Sequence, residues 1–193
     1  SSAENLSGGG GTDPLRIWSD VKERHGRDND PIRILLIEDE AQKGWDVVLQ
    51  SMIGDDENRA ELEVIPQSGP FNFKDALNAA IDDSWDTVLC DLRLSSWKDP
   101  ELTASSDPAE KSEYSGVDLV NDIKAAAPFT PIIAFTSSNN VWTIEATEDA
   151  GVQHYWVKES PQTKRNDAYS RKSAAELLKA ITDSVTRRRK WHF

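Results

Sequence analysis

Five times along this chain a short apolar run is followed by a segment with helical periodicity, and few folds accommodate that order. Ile32–Ile37, Leu62–Ile65, Thr87–Leu92, Pro131–Thr136 and Gln153–Lys158 read as strands rich in β-branched residues and Leu. Between them the period changes. Ala41, Trp45, Val48, Leu49 and Met52 fall on one helical face, with Gly54 as a stop. Asn72 is placed to cap a helix whose apolar face holds Phe73, Ala76, Leu77, Ala80 and Ile81. Gly116–Ala126 is a helix with Val117, Val120 and Ile123 inward, and residues 139–150 form another, ended by Gly151. The last helix carries Ala174, Leu177, Leu178, Ile181 and Val185 on one face. Its basic end, Arg187–Lys190, is expected to be solvated and suits the helix dipole. Short apolar strands separated by helices require crossover connections, so the fold class is α/β: a doubly wound parallel sheet of five βα units, covered on both faces.

The domain plan follows. Residues 1–14 are Gly/Ser-rich and read as a tail, and 15–30 as an N-terminal extension with Leu15, Ile17, Trp18 and Val21 at near-helical spacing. Residues 31–193 form the domain, with an inserted polar loop at 95–115. That loop is either a partial flap over the strand ends or a solvated excursion. No further domain is expected after the last helix.

Charge narrows the function. With 22 basic and 34 acidic residues the net charge is −12, which disfavours nucleic acid and anionic membranes as partners. No apolar run suits a membrane span or a signal core. The one cysteine, Cys90, cannot form an intrachain disulfide and fits a cytoplasmic setting. It is expected to be a buried structural thiol facing away from Asp91. His25, His154 and His192 show no ligand spacing, and neither a GxGxxG nor a Walker motif is present.

Ligands of open α/β sheets bind at the carboxyl ends of the strands. Here strand 1 ends in Glu38-Asp39-Glu40, strand 3 at Asp91, strand 4 in Thr136-Ser137-Ser138 and strand 5 at Lys158. Clustered carboxylates call for a cation, and hard oxygen ligands suit Mg²⁺. An ammonium and a hydroxyl can hold phosphate oxygens. The parts suit phosphoryl transfer to a carboxylate.

In ILLIEDE, TVLCDLRL, PIIAFTS and HYWVKES, in that order, the chain resembles bacterial response-regulator receiver domains of the chemotaxis-regulator type over residues 32–186. The resemblance implies a flavodoxin-like fold with strand order 2-1-3-4-5, and a two-component signalling protein, not an enzyme acting on other substrates. Asp91 would be the phosphoacceptor, served by a histidine kinase or a phosphotransfer protein. Glu38, Asp39, Asp91 and the backbone carbonyl of Arg93 would hold Mg²⁺. Thr136 and Lys158 would complete the catalytic set, with Thr136 and Tyr155 as switch residues. A downstream protein would dock on the face of the fourth helix, fifth strand and fifth helix, and a homodimer is left open.

The chain departs from the family pattern at Glu38, where Asp is commoner, at Glu159, where proline usually follows the lysine, and in the long 95–115 stretch. Two rivals are therefore kept: a receiver-like binding module that takes no phosphoryl group, and a haloacid-dehalogenase-type enzyme. The latter wants an acid where this chain has Arg93.

Overall fold

The computed structural model describes residues 31–41, 44–53, 60–82, 84–94, 115–136, 145, 148–158 and 167–191. Expectations about 1–30, the 95–114 stretch, Ser137, Ser138, Glu159 and most of the 139–150 helix fall outside these residues.

Five strands, β1 (Ile32–Ile37), β2 (Ala60–Ile65), β3 (Thr87–Cys90), β4 (Ile132–Thr136) and β5 (His154–Val157), form one sheet in the order β2-β1-β3-β4-β5. Every pairing is parallel. This is the flavodoxin-like strand order that the resemblance implied, on the parallel sheet that the alternation calls for. The described helices are α1 (Trp45–Ile53), α2 (Phe73–Ala80), α3 (Gly116–Ala126) and α4 (Asp167–Trp191).

Because side chains alternate along a strand, the apolar runs feed two separate cores. Ile32, Ile34, Leu36, Leu89, Ile133, Phe135 and Trp156 point to one face and pack with Trp45, Leu49 and Ile53 of α1 and Leu177, Leu178, Ile181 and Val185 of α4. Leu35, Ile37, Val88, Cys90, Ile132 and Ala134 point to the other and pack with Ala76 of α2 and Leu119, Val120 and Ile123 of α3.

Local signals define the helix ends. The Asn72 side chain accepts from the backbone N–H groups of Lys74 and Asp75. Ser115 and Asp118 form a reciprocal capping box at the start of α3, so Ser115 belongs to that helix start and not to the preceding loop. Gly151 has φ 81°, a left-handed conformation that favours glycine, and closes a turn by donating to the Glu148 carbonyl.

Two expectations need correction. Ile81 is 38% exposed instead of inward, because α2 ends at Ala80 and Ile81 is its C-cap. The basic end of α4 is not simply solvated. Arg188 and Arg189 are 6% and 3% exposed, and Arg189 grips Asp86 through Nε at 2.9 Å and Nη2 at 2.8 Å.

Candidate functional site

The site is built from register. Ile37 of β1 is level with Cys90 of β3, so the next residues, Glu38 and Asp91, leave the sheet side by side. Both remain tied to the ladder: Glu38 N–H donates to the Ile65 carbonyl and Asp91 N–H to the Ile37 carbonyl. Glu38 and Asp91 continue the face of Leu36 and Leu89, and Lys158 that of Trp156. Lys158 is anchored by its own N–H to the Thr136 carbonyl at 2.8 Å. Its long arm reaches back across β4, and Nζ donates to Glu38 Oε2 and, at 2.5 Å, to Asp91 Oδ2.

These groups are buried: Glu38 0% exposed, Asp91 3%, Lys158 7%. The remaining carboxylate oxygens meet backbone donors. Glu38 Oε1 accepts from Glu40 N–H at 3.2 Å, and Asp91 Oδ1 from Arg93 N–H at 3.0 Å. Asp39 is half-buried, and its carboxylate completes a set with Glu38 and Asp91 whose ligand oxygens lie within 4.8 Å of one another. Three hard oxygen donors so close fit a small divalent cation.

The formal charge of the cluster, three carboxylates against one ammonium, is −2. Burying this much charge costs free energy that a single ion pair does not recover, so the cluster is not a stability device. The strain appears in Glu38. Burial, then the neighbouring Asp91 charge, push its carboxyl up to about 7, against the pull of Lys158 and the Glu40 amide.

The Lys158 ammonium also sits over aromatic rings, 5.4 Å from the Phe135 centroid and 5.8 Å from that of Trp45. Such contacts are worth roughly 2 kcal/mol when desolvated.

Other residues singled out in the sequence surround this cluster. Thr136 is fully buried at the end of β4. Tyr155 lies half-buried on β5, on the opposite face from Trp156. Burial and the Asp91 charge raise its phenol. Cys90 is fully buried in the core against α2 and α3, its thiol pushed well up by burial and by Asp91, an inert arrangement. The described groups do not bring His154 into a metal cluster; burial lowers its imidazole pKa.

Two contributors escaped sequence reasoning. One is Trp45, which looked like ordinary helix packing. The other is Gly116, the first residue of α3. A Cβ there would run into the Asp91 carbonyl oxygen and lie 2.6 Å from Leu92 Cα. Only glycine lets α3 start this close to the backbone that carries Asp91. A glycine directly after a capping serine was the available signal.

Several solved structures of receiver domains share this architecture. A response regulator receiver domain protein from Clostridium thermocellum superposes with a TM-score of 0.53 at 18% identity, over 81% of this chain and 95% of that one. The response regulator domain of Thermotoga maritima CheB gives 0.52 at 22% identity, over 80% and 96%. A CheY-like receiver domain protein from Methanospirillum hungatei gives 0.51 at 16%, over 78% and 96%. No protein-family model matches the sequence, and the curated proteins contain no significant match. No described helix is long and apolar enough to cross a membrane. The chain therefore has the fold seen in CheY-like response-regulator receiver domains.

Proposed function

We propose that this protein is a response-regulator receiver that accepts a phosphoryl group on Asp91 and signals through the resulting change in shape. The observation that carries the reading is the convergence of buried Glu38, Asp91 and Lys158 with half-buried Asp39 in one cluster of net negative charge. A structural ion pair would need one acid for the one ammonium. Three acids suit a site whose remaining charge is met by a ligand.

Glu38, Asp39, Asp91 and the Arg93 carbonyl would hold Mg²⁺. When bound, the ion supplies neutralising charge for the carboxylates and for phosphoryl oxygens. The chain's own residues do the rest. Arg93 N–H engages Asp91 Oδ1 and fixes the carboxylate's rotation, while Lys158 engages Oδ2. The free lone pair of an Asp91 oxygen attacks phosphorus. The new P–O bond forms as the donor's P–N bond to a histidine imidazole, or P–O bond to a small acyl phosphate, breaks and the donor group departs with its electron pair. Lys158 then exchanges a carboxylate partner for a phosphoryl oxygen, and the Thr136 hydroxyl donates to another. Tyr155 responds as the second switch residue. The donor is a histidine kinase or a phosphotransfer protein, the output is to a protein partner, and the setting is the cytoplasm.

Intact-mass measurement after incubation with Mg²⁺ and acetyl phosphate tests the reading. One added phosphoryl group, absent when EDTA replaces Mg²⁺, is the expected result. No gain from acyl phosphate or from phosphorylated histidine donors would leave a binding module on a receiver fold.

A further inference from the structure

The lysine of the site stands on aromatic rings, and those rings lead away from it. Below Lys158 Nζ, Phe135 stacks on Trp156 with centroids 5.1 Å apart and planes 10° from parallel. Trp45 meets both edge-on, at 5.2 Å from Phe135 and 6.3 Å from Trp156. The chain of contacts does not stop in the core. The Trp156 indole N–H donates to the Ser173 carbonyl of α4 at 3.0 Å. An unbroken path therefore runs from the ammonium, through two rings, to the backbone of the last helix.

Each link has a physical basis. An ammonium is drawn to the negative faces of rings, while Glu38 and Asp91 also pair with it. Its position is thus a balance between carboxylates and rings. The rings are at most 6% exposed and closely packed, so a shift at one is felt by its neighbour. Neighbours along β5 divide the output. Tyr155 joins the core containing α2 and α3, whereas Trp156 joins the core containing α1 and α4.

We propose that Trp45 and Phe135 position the Lys158 ammonium, and that Trp156 transmits a change in its placement to α4 through the Ser173 carbonyl. This is a route on the opposite face of the sheet from Tyr155. The proposal rests on the phosphoacceptor reading for the event that moves Lys158, but the coupling can be tested without any phosphoryl group.

The test uses the full chain labelled with 5-fluorotryptophan, its resonances assigned by single Trp→Phe replacements, together with amide hydrogen exchange. Lys158→Met removes the ammonium and keeps the chain length. The Trp45 and Trp156 resonances should move. That of Trp85, which stacks with Arg33 and packs in the core with α2 and α3, should not. Exchange in α4 around Ser173 should accelerate roughly five-fold, the loss of about one hydrogen bond's net stabilisation. Trp156→Phe keeps a ring but removes the indole N–H, and should produce the same acceleration. Adding Lys158→Met to it should then change α4 little further, because the two act on one path. Lys158→Arg, which keeps a cation over the rings, should restore both signals towards wild type and guards against a folding defect in the Met variant. An unmoved Trp156 resonance in Lys158→Met, or independent and additive effects on α4, would overturn the coupling. Neither outcome depends on Asp91 accepting phosphate, so failure of phosphorylation is read separately.

Discussion

Strand β3 carries an aspartate at each end, and the two are used in opposite ways. At the amino end, Asp86 meets Arg189 in a bidentate pair and also accepts from the Arg33 backbone N–H. Arg189 further donates to the Pro31 carbonyl at 3.4 Å. Charge is balanced one to one, and the pair ties the end of α4 to the sheet. At the carboxyl end, Asp91 shares one ammonium with Glu38 and lies beside Asp39, so negative charge is in excess. The comparison teaches that burial of a carboxylate says little by itself. The ratio of partners to charges separates a clasp from a site that can take a ligand.

Substitutions at the two aspartates should therefore give opposite phenotypes. Asp91→Asn is expected to abolish phosphoryl acceptance while leaving the urea midpoint near or above wild type, because it relieves repulsion with Glu38. Asp86→Asn should do the reverse. It leaves Arg189 buried without a counter-charge, a loss of roughly 3–5 kcal/mol in urea unfolding, yet acceptance at Asp91 should persist in the folded fraction. If Asp86→Asn proves harmless and Asp91→Asn strongly destabilising, the assignment of clasp and site is inverted.

A smaller effect is expected at Gly116, where α3 touches the Asp91 backbone. Gly116→Ala forces that backbone to move and should cost about 1–3 kcal/mol, the usual range for overpacking. It should also slow acceptance at Asp91, unlike an alanine-compatible site elsewhere. Unfolding curves with phosphorylation rates measured in parallel would show whether the two losses occur together.

The smallest concerns Lys124 of α3, which takes no part in the Asp91 cluster. Burial lowers its ammonium from 10.5 to about 8, with Nζ donating to the Thr130 carbonyl at 2.8 Å. Between those values the unfolded chain binds more protons than the folded one, so this residue makes stability rise with pH from about 8 to 10.5. Below 8 its cost is fully present. Urea midpoints across that window should lose this upward component in Lys124→Met, with no change at the site.

The carboxyl end of the sheet was legible in the sequence and the amino end was not. Glu38, Asp91, Thr136 and Lys158 each follow an apolar run, so the end of a run marks where a side chain leaves the sheet. Parallel order then brings all of them to one edge. Asp86 and Arg189 are 103 positions apart. Arg189 sits in a basic run that looks like any solvated helix end, and nothing local marks it as buried. Ile81 was misplaced for a related reason: periodicity continues one residue beyond the last helical turn, and only the cap geometry shows where α2 stops. The aromatic stack under Lys158 joins residues from α1, β4 and β5, a conjunction that three separate core positions do not announce.

The most direct test of the central claim is chemical mapping of the phosphoryl group. After incubation with Mg²⁺ and acetyl phosphate, borohydride reduces an aspartyl phosphate to homoserine, releasing phosphate, and peptide mass spectrometry locates the altered residue. Conversion at Asp91, with none at Asp39 or Asp86 and none without Mg²⁺, is the predicted result. Conversion at another carboxylate, or phosphate retained through the reduction on a side chain other than Asp91, would contradict it.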